Sequence, residues 1–189
     1  MNFLLSKIWG NIYFMRFRSG LRYWFLNSVV NRIPAWWIRR PLYRLSGVKM
    51  GKGCRICLYT IIDYPKGIRI GDRSIINENC FLDGRGRLSI GDDVSISIYS
   101  RIITASHKAN DISFSYYESS VQIDNNVWLG AGAIVLDGSH LEQGSIIGSG
   151  CVFKGLAEKD SIYIGNPAKI LKSRLLNEYY RLNYRPWMK

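Results

Sequence analysis

Among the 189 residues of the chain, the side chains best suited to chemistry are two histidines and four cysteines. An imidazole titrates near neutral pH, so it is a good base for drawing the proton from a hydroxyl nucleophile. His107 ends the run Ile102-Ile103-Thr104-Ala105-Ser106-His107, at the point where a regular apolar spacing breaks off. His140 directly precedes Leu141 inside an unbroken stretch of that spacing, which is the place of a surface turn residue. His107 is therefore the candidate base. Cys54 and Cys57 form a CxxC, but a structural zinc needs four ligands, and no second pair or nearby histidine completes the set. Cys80 and Cys151 stand at repeat positions held elsewhere by Ser, Ala or Val, which predicts small buried fillers in a reduced, cytosolic protein.

The element that must position His107 is a repeat of period six. Ile123, Leu129, Val135, Leu141, Ile147 and Phe153 follow one another at six-residue steps, and Val127, Ala133, Ser139, Ser145 and Cys151 recur four residues after the large aliphatics. Upstream, Ile70, Ile76, Leu82 and Leu88 keep the period, which restarts two residues later at Ile90, Ile96 and Ile102. Six fits neither the 3.6 of a helix nor the 2 of a long strand. It fits a short strand with one large inward aliphatic, a tight turn, and repetition: a parallel β-solenoid in which only the stack buries a core. The array is interrupted by a loop, 107–122, and loops that leave a regular solenoid are where function is placed. Its Phe114-Ser115-Tyr116-Tyr117 stretch is suited to wall an acceptor pocket.

The chain is 47% hydrophobic and 21% charged, which is globular, and its length suits one folded body with terminal appendages. Its net charge of +12 is uneven: eleven basic residues precede the first acidic one, Asp63, leaving 15 basic against 14 acidic in the remainder. Phe3, Trp9, Tyr13, Phe14, Phe17, Tyr23, Trp24, Phe25, Trp36 and Trp37 are interleaved with those cations. This favours an anionic membrane surface over nucleic acid. No apolar run approaches the roughly 18 residues needed to span a bilayer. Lys7, Arg16 and Arg18 break up any signal-peptide core in Met1–Gly20. The expectation is a cytoplasmic protein, peripheral on the inner membrane face, with an amphipathic helical segment at 1–48, a β-solenoid at 49–169 and a C-terminal helix at 170–189. That last helix would cap the open end with Leu171, Leu175 and Tyr179 on one side.

The segment from Ile123 to Lys169, with its repeat, Trp128 and closing Gly165-Asn166-Pro167-Ala168-Lys169, resembles the hexapeptide-repeat acyltransferases, and within them the sugar O-acetyltransferases of bacterial surface polysaccharides. The resemblance covers about residues 68–172. It implies an all-β, left-handed parallel β-helix that is a homotrimer with active sites between subunits. The implied reaction is acetyl transfer from acetyl-CoA to a sugar hydroxyl in O-antigen, capsule or exopolysaccharide biosynthesis, with His107 as base and no metal. The acceptor would lie beside Asn77, with Asp83 one rung on and Tyr116 and Tyr117 nearby. Trp128, Gly130, Ala131, Ser149 and Gly150 would line the CoA groove, and Lys154, Lys169, Lys172 and Arg174 would meet its phosphates. A backbone N–H near Ala131 would serve the oxyanion. The γ-class carbonic anhydrases share the coil but need three histidines, and the chain has two. N-acetylation of an amino sugar nucleotide, serine acetylation and a membrane-tethered scaffold remain as other readings.

Overall fold

The computed structural model describes residues 17 and 19–184. The aromatic and basic positions at 1–16 and Arg18 lie outside the described residues, as do 185–189. From Lys49 the chain winds as a parallel left-handed β-helix with three faces. Sheet A stacks Lys49–Met50, Ile68–Ile70, Leu88–Ile90, Val121–Ile123, His140–Leu141 and Leu156–Ala157. Sheet B stacks Arg55–Ile56, Ile75–Ile76, Ser95–Ile96, Trp128–Leu129, Ile146–Ile147 and Ser161–Ile164, and sheet C stacks Ile61–Asp63, Phe81–Asp83, Arg101–Ile102, Ile134–Val135 and Val152–Phe153.

The aliphatics picked out by their spacing form the core columns. Ile56, Ile76, Ile96, Leu129 and Ile147 stack in register on sheet B, and Ile62, Leu82, Ile102, Val135 and Phe153 on sheet C; all are buried. The restart of the period turns out to recur in every upstream coil. Each strand Ile68–Ile70, Leu88–Ile90 and Val121–Ile123 turns its first and third residues inward, and Met50, Ile70 and Ile90 stack at 20-residue steps. The two additional residues enlarge the corner between sheets C and A, at 64–67 and 84–87. Downstream, Ile123 and Leu141 stack at the 18-residue step of three plain hexapeptides.

Helical backbone at 19–28 and a helix at Trp36–Ser46 cover the N-terminal end. An uncovered β-solenoid end presents strand edges with unpaired backbone groups. Side chains close all three. Arg44 Nη2 donates to Met50 O (2.8 Å) on sheet A, and Arg39 Nη1 to Ile56 O (2.9 Å) on sheet B. On sheet C, Asn27 stands in for a strand: its Oδ1 accepts from Ile62 N (2.8 Å) and its Nδ2 donates to Ile62 O (3.0 Å). Part of the N-terminal basic excess is thus structural.

The expected C-terminal helix is not formed. Lys169–Ser173 is a strand antiparallel to Ser161–Ile164, and 174–184 is irregular. The competing partner is the last edge of sheet B, which this strand covers. Beyond it the corner between sheets A and B offers acceptors: Arg174 donates to Gly144 O (2.9 Å), the Tyr179 hydroxyl to Asp160 (2.7 Å), and Leu182 N to Asp93 Oδ1 (2.9 Å). A short isolated helix is marginal in water. With Leu175 almost fully exposed, the stripe Leu171, Leu175, Tyr179 has nothing to pack on. All four cysteines are buried and free, and burial pushes the Cys54 and Cys80 thiols up to about 11 and about 12, as inert fillers require.

Candidate active site

The loop is a built arm. Ala105–His107 and Tyr116–Glu118 pair as an antiparallel ribbon, with His107 opposite Tyr116 and Ser106 opposite Tyr117. At its tip Asp111 Oδ1 accepts from Ser113 N (2.9 Å) and Ser113 Oγ (2.6 Å), and its Oδ2 accepts from Ser115 Oγ. These bonds hold the Asp111 carboxyl down at about 2. The turn this creates brings Phe114 back onto His107: the rings stack at 4.0 Å and 9°, and Phe114 O lies 2.7 Å from His107 Nδ1. A carbonyl can only accept, so Nδ1 carries the proton and donates it, which leaves the Nε2 lone pair of the neutral ring free. Tyr116 contacts the same ring edge-on at 5.6 Å. The arrangement is an oriented, exposed imidazole base.

The arm's root explains the placement. Buried Thr104 donates its N–H to Asp83 Oδ2 (2.9 Å), accepts from Gly86 N at Oγ1 (2.9 Å), and accepts from Ser119 N at its carbonyl (2.8 Å), so both arm strands are tied to the enlarged corner. A Cβ on Gly86 would collide with the Thr104 and Ser119 carbonyls. Arg85 donates Nε and Nη2 to the two oxygens of Asp83 (2.9 Å each), and its guanidinium lies 6.0 Å from the Tyr116 ring. The Tyr116 hydroxyl donates to Glu118 Oε1 at 2.7 Å. Burial, then this bond to Glu118, raises the Tyr116 phenol, so it stays protonated at neutral pH.

Several expected site residues fall elsewhere. Asp83 is fully buried, with both oxygens taken by Arg85 and Thr104, so it anchors the arm and does not contact an acceptor. Burial alone would raise its carboxyl, but the bonds from Arg85 and Thr104 outweigh that and lower it. Tyr117 lies on the ribbon face opposite His107 and Tyr116, because side chains alternate along a strand. Lys154 occupies this same C–A corner, paired with Asp137 at 3.0 Å, and not the groove proposed for CoA. Arg174 is spent on the Gly144 and Asn126 carbonyls. Arg85, Thr104 and Glu118 escaped the sequence reading as site residues, and Phe114, expected to wall an acceptor pocket, stacks on His107 instead. The one usable signal was Gly84-Arg85-Gly86-Arg87, two arginines in glycine settings where the period slips.

The remaining residues gather on the corner between sheets B and C. Asn77 N donates to Ile96 O, Ser97 N to Leu129 O, and Gly130 N to Ile147 O, so these positions stack on successive coils. Asn77 also donates Nδ2 to Ile96 O (2.9 Å). Trp128 lies half-exposed on sheet B with Nε1 donating to Ser97 Oγ (3.1 Å), and Lys172 extends its row through Ile146 and Ile162. Lys169 opens the antiparallel strand opposite Ile164. A Cβ on Gly130 would sit 2.5 Å from Ser149 N, so the coils can stack this closely only with glycine there. Ala131, Ser149 and Gly150 are exposed. Among the described residues, the N–H groups of Ala131 and Ser149 have no acceptor, while Gly150 N donates to Ala131 O (2.8 Å). A small-residue corner with two unsatisfied N–H groups on exposed residues beside a tryptophan fits an extended amide-bearing arm such as that of coenzyme A. His107 lies on a different corner of the same chain.

The bacterial transferase hexapeptide (six repeats) family matches residues 120–155. WcaF of Escherichia coli (strain K12), named for acetyl transfer in colanic acid biosynthesis, is 30% identical over 141 residues, 74% of this chain and 77% of WcaF. The chain belongs to the hexapeptide-repeat acetyltransferases. Other family relatives are longer: a Mycobacterium tuberculosis protein also named as an acetyltransferase is 28% identical over 62% of this chain but only 41% of its own length. Among solved structures, a hexapeptide-repeat acetyltransferase of Vibrio cholerae complexed with acetyl coenzyme A superposes with a TM-score of 0.75 at 26% identity, covering 86% of this chain and 88% of that one. A maltose O-acetyltransferase of Clostridium difficile shares the fold, with a TM-score of 0.75 at 24% identity, over 85% of this chain and 87% of its own.

Proposed function

We propose that the protein is an acetyl-CoA-dependent O-acetyltransferase acting on a sugar hydroxyl during assembly of a bacterial surface polysaccharide. The observation that carries this reading is His107, stacked on Phe114 with Nδ1 bonded to the Phe114 carbonyl and Nε2 left open. Acetyl-CoA, when bound, supplies the activated acetyl thioester. His107 Nε2 takes the proton of the acceptor hydroxyl as that oxygen attacks the thioester carbonyl, and returns it to the thiolate as the C–S bond breaks, so that CoA leaves as the free thiol; general-base catalysis of this kind is worth about 10²–10⁴-fold. The open N–H of Ala131 is the donor for the developing oxyanion. Trp128, Gly130, Ser149 and Gly150 hold the cofactor arm, with Lys169 and Lys172 at its phosphate end. Asn77 meets the acceptor.

Since Asn77 and the Trp128 corner lie apart from His107 within one chain, the reading requires that a neighbouring copy complete each site, as in a homotrimer. The exposed arm tip at Ile112 and Phe114 supports that role. Membrane attachment is the finer part of the proposal. Phe17, Leu21, Trp24, Trp37 and Leu45 are exposed beside Arg22, and among the described residues no helix is long and apolar enough to cross a bilayer. The sugar reading follows the name of WcaF. The test is release of CoA thiol from acetyl-CoA against free sugars, amino sugars and lipid-linked saccharides, with product analysis for ester or amide. Ester formation on a saccharide is expected. Amide formation, or no release with any acceptor, defeats the assignment, and absence of binding to anionic liposomes defeats the membrane part.

A further inference from the structure

Beside the arm's root lies a groove of about 740 Å³ over the outer side of sheet A and the enlarged corner. Its lining is predominantly cationic: Lys49, Lys66, Arg69 and Arg87 contribute four exposed cations, and Arg85 and the one carboxylate of the lining, Glu118, close the end next to the arm. Lys49 and Arg69 are register partners, which places them side by side on neighbouring strands. Among the described residues none of these four cations forms an ion pair, whereas the nearby carboxylates are committed: Asp63 and Asp83 to Arg85, and Glu118 to the Tyr116 hydroxyl. Concave surfaces with an excess of one sign of charge focus potential, and arginine forks match the oxygens of a phosphate ester.

A second cavity, of about 520 Å³, lies between the 19–28 helix and the same corner, with Tyr23 and Leu26 in its wall. The two cavities share Tyr64, Lys66 and Arg85. A path therefore runs from the exposed aromatic helix, through a cationic groove, to Arg85, which faces the Tyr116 ring, itself edge-on to His107.

We propose that this groove is a diphosphate subsite that holds the acceptor sugar by the diphosphate linking it to its carrier. The proposal rests on the acetyltransferase reading for what the anion is attached to, but not for the binding of the anion. Arg69 and Lys66 grip the phosphate oxygens, Lys49 and Arg87 flank them, and the sugar lies toward the arm. The carrier end leaves over Lys66 toward the second cavity, which accepts an apolar chain or a nucleoside.

The test is titration of the full chain with inorganic pyrophosphate, followed by calorimetry, for the wild type and for Lys66→Ala/Arg69→Ala. The titration is repeated in saturating coenzyme A, whose own diphosphate would otherwise confuse the result. The expected outcome is binding that persists with coenzyme A present and weakens about ten-fold or more in the double variant. Melting temperature and coenzyme A affinity should be unchanged, since both side chains are exposed. Farnesyl diphosphate in detergent and uridine diphosphate then compete for the site, and the stronger competitor identifies a lipid or nucleotide carrier. Pyrophosphate that is displaced by coenzyme A and indifferent to the double variant would assign the anion to the cofactor corner and overturn the proposal. Absence of binding would do the same, and competition by neither ester would overturn the acceptor role. If acetyl transfer fails with every acceptor while pyrophosphate still binds as expected, the function is wrong and the anion site stands.

Discussion

The corner between sheets B and C and the corner between sheets C and A are built from one coil by opposite means. The first keeps the hexapeptide rule: small residues at 130–133 and 148–151 let successive coils approach closely, and, among the described residues, the N–H groups of exposed Ala131 and Ser149 are left without an acceptor. The second breaks the rule three times, with two additional residues in each of two upstream turns and an 18-residue excursion between Ile102 and Val121, which the ion pair of buried Asp83 with half-buried Arg85 holds upright. Regularity makes a surface on which an extended ligand can lie. Irregularity raises a single side chain, His107, off the body and fixes its tautomer. The first function tolerates no bulk, and the second tolerates no loss of polar bonds.

The sharpest way to break the comparison is to remove the raised side chain. His107→Ala should lower turnover by about 10²–10⁴-fold. It should leave the melting temperature within a degree or two, because the ring is exposed and, among the described residues, its only hydrogen bond is to Phe114 O within the arm. If the variant unfolds instead, His107 is structural. The converse experiment is Gly130→Val. A branched side chain there meets the Ser149 backbone and should destabilise the fold by about 1–3 kcal/mol, as overpacking does. A drop in urea midpoint in parallel with the lost activity is expected. Activity lost at unchanged stability would mean that Gly130 serves the ligand alone.

The same contrast decides what could be read from sequence. A strict period announces itself, so the core columns, the small-residue corner and the break at His107 were all legible in the spacing of Ile123, Leu129 and Val135 and its failure after Ile102. Contacts that join distant positions through one-off chemistry were not. Asp83 is expected beside the acceptor until the coil places Arg85 and Thr104 on it. Tyr116 and Tyr117 are equivalent in sequence and separate only once the arm is a ribbon with two faces. Asn27, Arg39 and Arg44 count as basic or polar surface until the three sheet edges they close are present. The tail from Ile170 carries a helical stripe, but an open edge of sheet B and a ladder of corner acceptors outcompete it.

On the regular corner, Trp128→Ala should weaken acetyl-CoA binding roughly ten-fold, in keeping with the loss of an aromatic contact of about 0.5–1.5 kcal/mol beyond its buried area. Turnover at saturating acetyl-CoA should change little. A fall in turnover with unchanged affinity would move the cofactor off this face.

The smallest effect concerns acid. Burial raises the Asp83 carboxyl, yet the bonds from Arg85 and the Thr104 N–H win and hold it below the carboxylate range of the unfolded chain, near 3.9. A depressed folded-state value means that stability is present in full above the unfolded value and is lost as pH falls through the folded one. The arm should therefore remain anchored from neutral pH down to about pH 4 and loosen below it, while the hexapeptide stack, whose columns are uncharged, persists. Amide exchange of 104–119 measured against that of 129–147 reads the two separately. In Asp83→Asn the arm should exchange faster at neutral pH, with no further acid step. An arm in the wild type that exchanges at one rate from pH 7 to pH 3 would show that the Asp83–Arg85 pair does not hold it, and the irregular corner would then owe its order to packing alone.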